Sequence, residues 1–593
     1  MKNKAYIRKS DIYIYLVKNK RLICCAFLWG LPVAASFVLG WRLVNEGTVF
    51  GAGGSMTARA GAFLLFLLET IALSVPAAAL AVPVLSGSGM GKTLAWDKRT
   101  EGMTRRRRRK EKNLTLRPLW QVWLFYSLLI FLCWLPIFLA YYPSVFAYDA
   151  EGQLYQVIAG DYSTHHPLLH TIFLGAFFRL GGALGSYSAG MAVHSGVQMA
   201  LMAGTFGWAL CFLYKRRTAG GARILIFLFY AFFPANSVLA LSTTKDVLFA
   251  ALVLLDTLCL YQMVCGRSMA VGRKERAVYV IVTVLMLLFR NNAVYAFFVS
   301  APILFIGLGR AGREKSEGKR QDGRVGRKAY LCMTLLILTL FGVSSFALKA
   351  VTHAKSGSPR EMLSVPLQQM ARTRVEAEEE IDPAMRRELE NYLSSEWVFA
   401  AYNPHLADPV KNRAVIHDNP KGLIETWIKL GLEYPAIYID AFLDNSLGLW
   451  YLRDTSHARV YGIGTESGFG YLSTDNRKMP AGCEIEEHSL LPGLHAFMEK
   501  IVSDNIYEKA PVIRILFAPA LYWWLLYFYF VAALYRKRYR EMIPAVFPAV
   551  YGLTLLLSPT VLVRYMYPIM VTIPVILPCL MANGMTEAGE NRQ

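Results

Sequence analysis

Leu119-Trp-Gln-Val-Trp-Leu-Phe-Tyr-Ser-Leu-Leu-Ile-Phe-Leu-Cys-Trp-Leu-Pro-Ile-Phe-Leu-Ala140 runs straight into Tyr141-Tyr-Pro-Ser-Val-Phe-Ala-Tyr-Asp149-Ala-Glu151-Gly-Gln153. After a short gap comes His165-His166-Pro167-Leu-Leu-His170-Thr171. The first run carries no charge and is long enough, at 1.5 Å per residue, to cross a hydrocarbon core about 30 Å thick. Two acids and three histidines therefore emerge where a membrane span ends. Ionisable groups at a bilayer edge are costly to desolvate and are usually kept for work on a substrate. A plain solvated loop would need none of this coincidence of acids, histidines and a Pro-Gly framework.

The rest of the chain repeats the apolar theme. Of 593 residues 55% are hydrophobic, and they gather in blocks of span length. The blocks cover 22–41, 62–85, 119–140, 189–213, 224–241, 247–264, 329–348, 515–534, 543–557 and 566–580. Two shorter runs, 277–289 and 293–308, flank Arg290-Asn291-Asn292 and read as a hairpin of spans. The fold class is an α-helical polytopic membrane protein with about a dozen helices.

A net charge of +21 raises the question of nucleic acid, and its placement answers against it. The basic residues cluster in short links, at 2–21, 105–110, 215–217, 267–276, 310–328 and 536–538. Counting the spans in order puts every cluster on one side, which the positive-inside rule makes cytoplasmic, with both termini. These runs are orientation signals and contacts to anionic membrane lipids. The 2–21 stretch precedes a full-length span with no small-residue cleavage site and reads as a retained anchor.

By the same count the Asp149 loop lies outside, as does the one long polar segment, 351–511, with 24 acidic against 16 basic residues. Of nine cysteines only Cys483 falls in that segment, so no disulfide can staple it from within. The expected organisation is a two-span extension with a basic linker (1–118), a membrane core with its first outer loop at 143–188 (119–350), a mixed extracytoplasmic domain (351–511) and a three-span C-terminal segment (512–593). In the loop, 151–160 and 168–184 have helical spacing and look like two helices on the outer membrane surface. The run 462–480 has loop composition. Asp382-Pro-Ala-Met opens a helix with an Asp cap and proline at its first position.

Four features carry chemistry. Asp149 and Glu151, if extended, present carboxylates to one face, where they can accept a proton or hold a divalent metal. His165-His166-Pro167 precedes His170, and His166 and His170 at i, i+4 can share a helix face. Thr243-Thr244-Lys245-Asp246 sits at an outer turn, where Lys245 and Asp246 can also simply pair with each other. Arg290 and Arg564, the latter in Val563-Arg564-Tyr565-Met-Tyr-Pro568, stand at outer span ends. An arginine there can snorkel to headgroups; two facing the acids suit a phosphate, which guanidinium binds bidentately.

Taken together this arrangement resembles the GT-C superfamily of polytopic glycosyltransferases, such as protein O-mannosyltransferases and the aminoarabinose transferases of lipid A. Tyr-Pro-x-x-x-x-Tyr-Asp149, Gly160-Asp-Tyr-Ser-Thr-His-His-Pro167, Thr244-Lys-Asp246 and Phe289-Arg-Asn-Asn292 look closer still to an uncharacterised group of Gram-positive multipass proteins. So do Ser364-Val-Pro-Leu-Gln-Gln-Met-Ala-Arg372 and Tyr402-Asn-Pro-His-Leu-Ala-Asp-Pro409. The resemblance spans 119–580. It implies inverting transfer of a sugar from a polyprenyl-phosphate donor to an envelope glycan, lipid or protein on the outer face. Asp149 would be the base and Glu151 its helper. His165, His166, Lys245, Arg290, Arg564 and Tyr565 would contact the donor or its phosphate. Asp149, Asp246 and His166 are the candidate ligands for a divalent metal, although Asp-Ala-Glu departs from the adjacent acids of the best-known families. Two rivals stand beside it: a transporter or flippase of lipid-linked sugars, which would favour inverted repeats and mid-membrane polar residues, and a non-catalytic envelope assembly protein.

Overall fold

The computed structural model describes residues 19–49, 56–86, 118–146, 148–265, 272–313, 325–416, 419–453, 479–504 and 509–582. The basic runs 2–18, 105–110, 267–271 and 314–324, most of the 462–480 loop and the C-terminal tail lie outside the described residues.

The chain is a multi-pass α-helical membrane protein. Its first described helices are α1 (Lys20–Glu46), α2 (Met56–Ser86), α3 (Leu119–Ala140), α4 (Tyr148–Ala159), α5 (Leu168–Ala183) and α6 (Tyr187–Lys215). Next come α7 (Gly220–Phe232), α8 (Pro234–Leu241), α9 (Asp246–Cys265), α10 (Arg273–Phe289), α11 (Asn291–Arg313) and α12 (Arg327–Thr352). Among the described residues nine helices are long and apolar enough to cross a membrane, or eleven if two bent pairs each count as one span. The bent pairs are α7 with α8 (47°) and α16 (Pro511–Phe517) with α17 (Pro519–Tyr535; 69°), and each breaks before a proline, which removes a helical donor and clashes with the preceding turn; α13 to α15 are given below. The dozen expected spans thus all meet helices. The one that falls short is α10, whose 17 residues begin with Arg273-Lys-Glu-Arg276.

Burial separates inner from outer helices. The apolar windows of α9 and of α19 (Val563–Ala582) are 78% buried, against 11% for α12 and 17% for α2 and α3. Exposed Leu64, Leu65, Leu68, Leu80, Leu335 and Phe346 therefore clothe the outer helices in hydrocarbon, as a lipid-facing surface requires. Between α17 and α19 runs α18 (Tyr539–Leu557), which contains two short 3-10 segments, Ile543–Ala545 and Leu555–Leu557. The α9–α19 pair is the axis on which the site is built.

The segment expected to be mixed is helical among the described residues, with no strand. Its centre is α13 (Ser364–Ala377), packed against α14 (Pro420–Glu433) and α15 (Pro435–Asn445). The Asp382 side chain caps the helix beginning at Pro383, as expected. Buried Arg374 pairs with Glu390 (2.5 Å), and Gln369 both receives a bond from Trp427 Nε1 (2.8 Å) and donates to Tyr438 O (3.0 Å). The Ser364–Arg372 motif is thus an internal strut of this domain. All nine cysteines are free.

Candidate functional site

Two chain segments are sewn together just before their acidic residues. Val145 and Ser242 form an isolated parallel bridge, in which Val145 N donates to Leu241 O (3.3 Å) and Thr243 N donates to Val145 O (3.1 Å). The buried amide of Gln198 on α6 props the second segment, donating to Ala240 O (3.0 Å) and Ser242 O (2.7 Å). Asp149 then falls in the first turn of α4 and Asp246 in the first turn of α9. Carboxylates are favoured there because the unpaired N–H groups of a helix start carry partial positive charge.

Three cations converge on the two acids. Lys245 Nζ lies 3.1 Å from Asp149 Oδ2 and 3.2 Å from His166 Nδ1. Arg564, at the start of α19, spans both carboxylates, with Nη1 3.0 Å from Asp149 Oδ2 and 3.4 Å from Asp246 Oδ2, while Nη2 donates to the Tyr565 hydroxyl (3.1 Å). Arg290 pairs with the other Asp246 oxygen. Its guanidinium is boxed by Phe249, Tyr551 and Tyr565, at 5.5, 5.7 and 5.2 Å from the ring centroids, a cation–π enclosure. The cluster therefore holds one positive charge in excess.

Exposure divides it in two. Side chains of Asp149 and Lys245 are 16% and 17% exposed, whereas Arg290 and Asp246 are at 7% and 1%. The open pair is the one a substrate can reach. Burial pushes the Asp149 carboxyl up, but Lys245 and then Arg564 outweigh it and hold the group well below the usual carboxylate range. Burial, then the Lys245 charge, drive His166 far down, so its ring is neutral. Burial also lowers Lys245, with Arg564 and Arg290 acting the same way against Asp149.

Several expectations are corrected. Asp149 and Glu151 do not lie on extended chain: α4 begins at Tyr148, and two residues along a helix turn the side chains about 200° apart. Glu151 is buried on another face of α4. His166 and His170 do not share a helix face, because α5 starts only at Leu168. His170 is buried against Gln153 (Nδ1 to Oε1, 3.1 Å) and the Phe289 ring. Lys245 and Asp246 do not pair with each other; each finds a partner far away in sequence. His165 stands at the rim, 3.8 Å from Glu361 of the polar domain and packed edge-on to His166 (4.5 Å between ring centroids).

A divalent metal fits poorly. Among the described residues no three His, Cys, Asp or Glu side chains form a ligand group, and the guanidinium of Arg564 bridges Asp149 and Asp246. Gln198, Phe249 and Tyr551 escaped the sequence reading. Of these only Gln198 has a signal, a long polar side chain inside an apolar span. Asn291, part of the quoted Phe289-Arg-Asn-Asn292 motif, donates its amide to Thr164 O (3.1 Å) and His165 O (3.3 Å).

No curated protein and no solved structure matches the chain. One family does, across residues 158–593, a stretch that takes in Lys245, Arg290 and Arg564 and begins just after Asp149. With well over half its length inside that match, the protein belongs to the family of unknown function DUF6020.

Proposed function

We propose that this protein is a membrane glycosyltransferase that moves a sugar from a polyprenyl-phosphate donor to a hydroxyl of an envelope glycan, lipid or protein on the outer face. The observation that carries the reading is Arg564 and Lys245 both holding the Asp149 carboxylate at about the distance of a direct ion pair, 3.0 and 3.1 Å, with one positive charge in excess. A phosphodiester brings one negative charge, matching that excess, and guanidinium and ammonium are its natural partners.

The chemistry follows from exchange of partners. Donor phosphate draws Lys245 and Arg564 onto its oxygens, and Asp149 loses the cations that make it a weak base. The acceptor oxygen attacks the anomeric carbon from the side opposite the phosphate. The bond from that carbon to the phosphate oxygen breaks, its electron pair leaves with the polyprenyl phosphate, and the acceptor proton passes to Asp149. The new bond is formed with inversion. Arg290, sealed by three aromatic rings and Asp246, fixes the cluster rather than meeting the donor. No step here runs through a metal.

A transporter of lipid-linked sugars takes its support from one feature, the two bent helix pairs, which touch at their breaks through Phe233 and Phe517 (4.8 Å between ring centroids). The experiment separating the two is incubation of purified protein in liposomes with polyprenyl-phosphate-linked sugar and an acceptor glycan. Consumption of the donor with a stoichiometric glycosidic product supports transfer; donor crossing the bilayer unchanged supports transport and rejects it.

A further inference from the structure

His166 presents an unusual constraint. A lysine ammonium has three N–H donors and no lone pair. His166 Nδ1, 3.2 Å from Lys245 Nζ, must therefore turn its lone pair toward the ammonium. A ring protonated at that nitrogen would set two N–H groups against each other, and a doubly protonated ring would add like-charge repulsion. The single ring proton is thereby confined to Nε2, the atom on the far side of a half-buried imidazole.

The surroundings enforce the same state. Lys245 faces His166 from the turn before α9 and Asp149 from α4, His165 packs edge-on against it with Glu361 beyond, and His170 lies further along the same segment. Of the groups that act on the ring directly only Asp149 favours a charged form, and its carboxylate is already held by Lys245 and Arg564; Glu361 pairs with His165 instead. Among the described residues no other hydrogen bond engages the His166 ring, so Nε2–H has no protein acceptor. Lys245 in turn has two donors committed and a third to give.

We propose that Lys245 locks His166 as a neutral, Nε2-protonated imidazole that donates a hydrogen bond to a substrate oxygen and does not act as a base. The identity of the substrate rests on the glycosyltransferase reading; the locked ring does not. An oxygen lone pair is what the site recognises, and it belongs either to the donor phosphate or to the sugar.

Two measurements decide it. The first is ¹⁵N NMR of histidine-labelled protein in nanodiscs, with His166 assigned by its loss in His166→Gln. The ring should show Nδ1 bare and Nε2 protonated and remain unchanged from pH 8 to 5. In Lys245→Met it should become a tautomer mixture that titrates higher than the wild-type ring, since burial then holds it down without the lysine's charge. A wild-type ring protonated at Nδ1, or one titrating near the ordinary value of about 6.5, overturns the proposal without needing any variant. The second is binding of polyprenyl phosphate with and without its sugar. His166→Ala should weaken the contacted ligand by about tenfold, and His166→Gln, whose amide N–H reaches the place of Nε2, should restore most of it. Loss for both ligands identifies a phosphate oxygen, and loss for the sugar-bearing one alone identifies a sugar hydroxyl. A folded His166→Ala with unchanged affinity for both refutes the donor role. If wild type binds neither, the glycosyltransferase reading falls, while the NMR result still stands on its own.

Discussion

Val145 and Ser242 pair as a parallel bridge, and Asp149 follows the first by four residues and Lys245 the second by three. Backbone bonds, not side-chain charge, thus set how far apart the acid and its lysine stand. The charged pair forms across a gap that the main chain has already closed.

That arrangement makes Asp149 testable as a base. Asp149→Asn keeps size and hydrogen-bonding reach but cannot take a proton, so transfer should fall by about 10²-fold or more. Folding should survive, since a half-open site at a helix start contributes little packing. Sugar transfer by purified variant, with thermal melting as the folding check, measures both. Full-rate transfer by a folded variant would remove Asp149 from the mechanism. Glu151→Gln, on another face of α4, should have a smaller effect on rate.

The two arginines should separate. Arg564→Lys keeps the charge but loses the planar fork that spans Asp149 and Asp246, so donor affinity should drop by about tenfold or more. Arg290→Ala should instead show in stability, because it leaves Asp246 buried with one partner fewer, a loss of about 3 kcal/mol. Isothermal donor binding and denaturation run on both variants would contradict this division if the effects were exchanged.

Acid should unfold the protein in two stages. His166 and His170 are neutral in the folded state, His170 with its value pushed by burial down to about 3. The unfolded chain takes up their protons below about pH 6.5. Stability is therefore lost as pH falls from there, at roughly 1.4 kcal/mol per pH unit for each fully unprotonated ring. Asp149 is depressed instead, so its contribution is complete above about pH 4 and disappears as pH falls through its folded value. Melting temperature against pH should decline from 6.5 downward. His170→Gln should flatten the first stage and Asp149→Asn the second; an unchanged first stage in His170→Gln refutes its assignment.

Gln198 offers a test of the scaffold. Replacing it by Leu leaves the buried Ala240 O and Ser242 O without their donor, at a cost of about 2 kcal/mol. The turn bearing Lys245 should loosen, and donor binding should weaken although the hydrogen bonds of Gln198 go to Ala240 O and Ser242 O rather than to Lys245, Arg564 or Asp149. Wild-type melting and affinity in Gln198→Leu would mean the turn holds itself.

Sidedness is tested by thiol labelling. With exposed Cys24 and Cys332 replaced by Ser, a cysteine at Ser356 should react with an impermeant reagent in intact cells and one at Ser316, outside the described residues, should not. Labelling at 316 alone would put Asp149 in the cytoplasm.

What could be read from the chain follows from the range of the forces involved. A run of apolar residues such as Leu119–Ala140 declares itself locally, because crossing a bilayer needs only length and hydropathy. The candidate residues Asp149, Lys245, Asp246, Arg290 and Arg564 were likewise visible, as charges stranded at span ends. Their pairing was not. Arg564 meets Asp149 across 415 positions, and no local pattern encodes which of several outer charges becomes its partner. The Asp149–Glu151 reading failed for a local reason: helical spacing was legible only from residue 151 onward, yet the helix begins at Tyr148 and parts the two acids.

The polar domain grips the chain just ahead of Arg564. Ala407 N donates to Pro559 O (2.9 Å) and Asn445 Nδ2 to Ser558 O (2.8 Å), both bonds falling within seven residues of the arginine. The short strap that carries the guanidinium thus also hangs from the helical domain. A shift of those helices would carry with it the one side chain that spans both carboxylates.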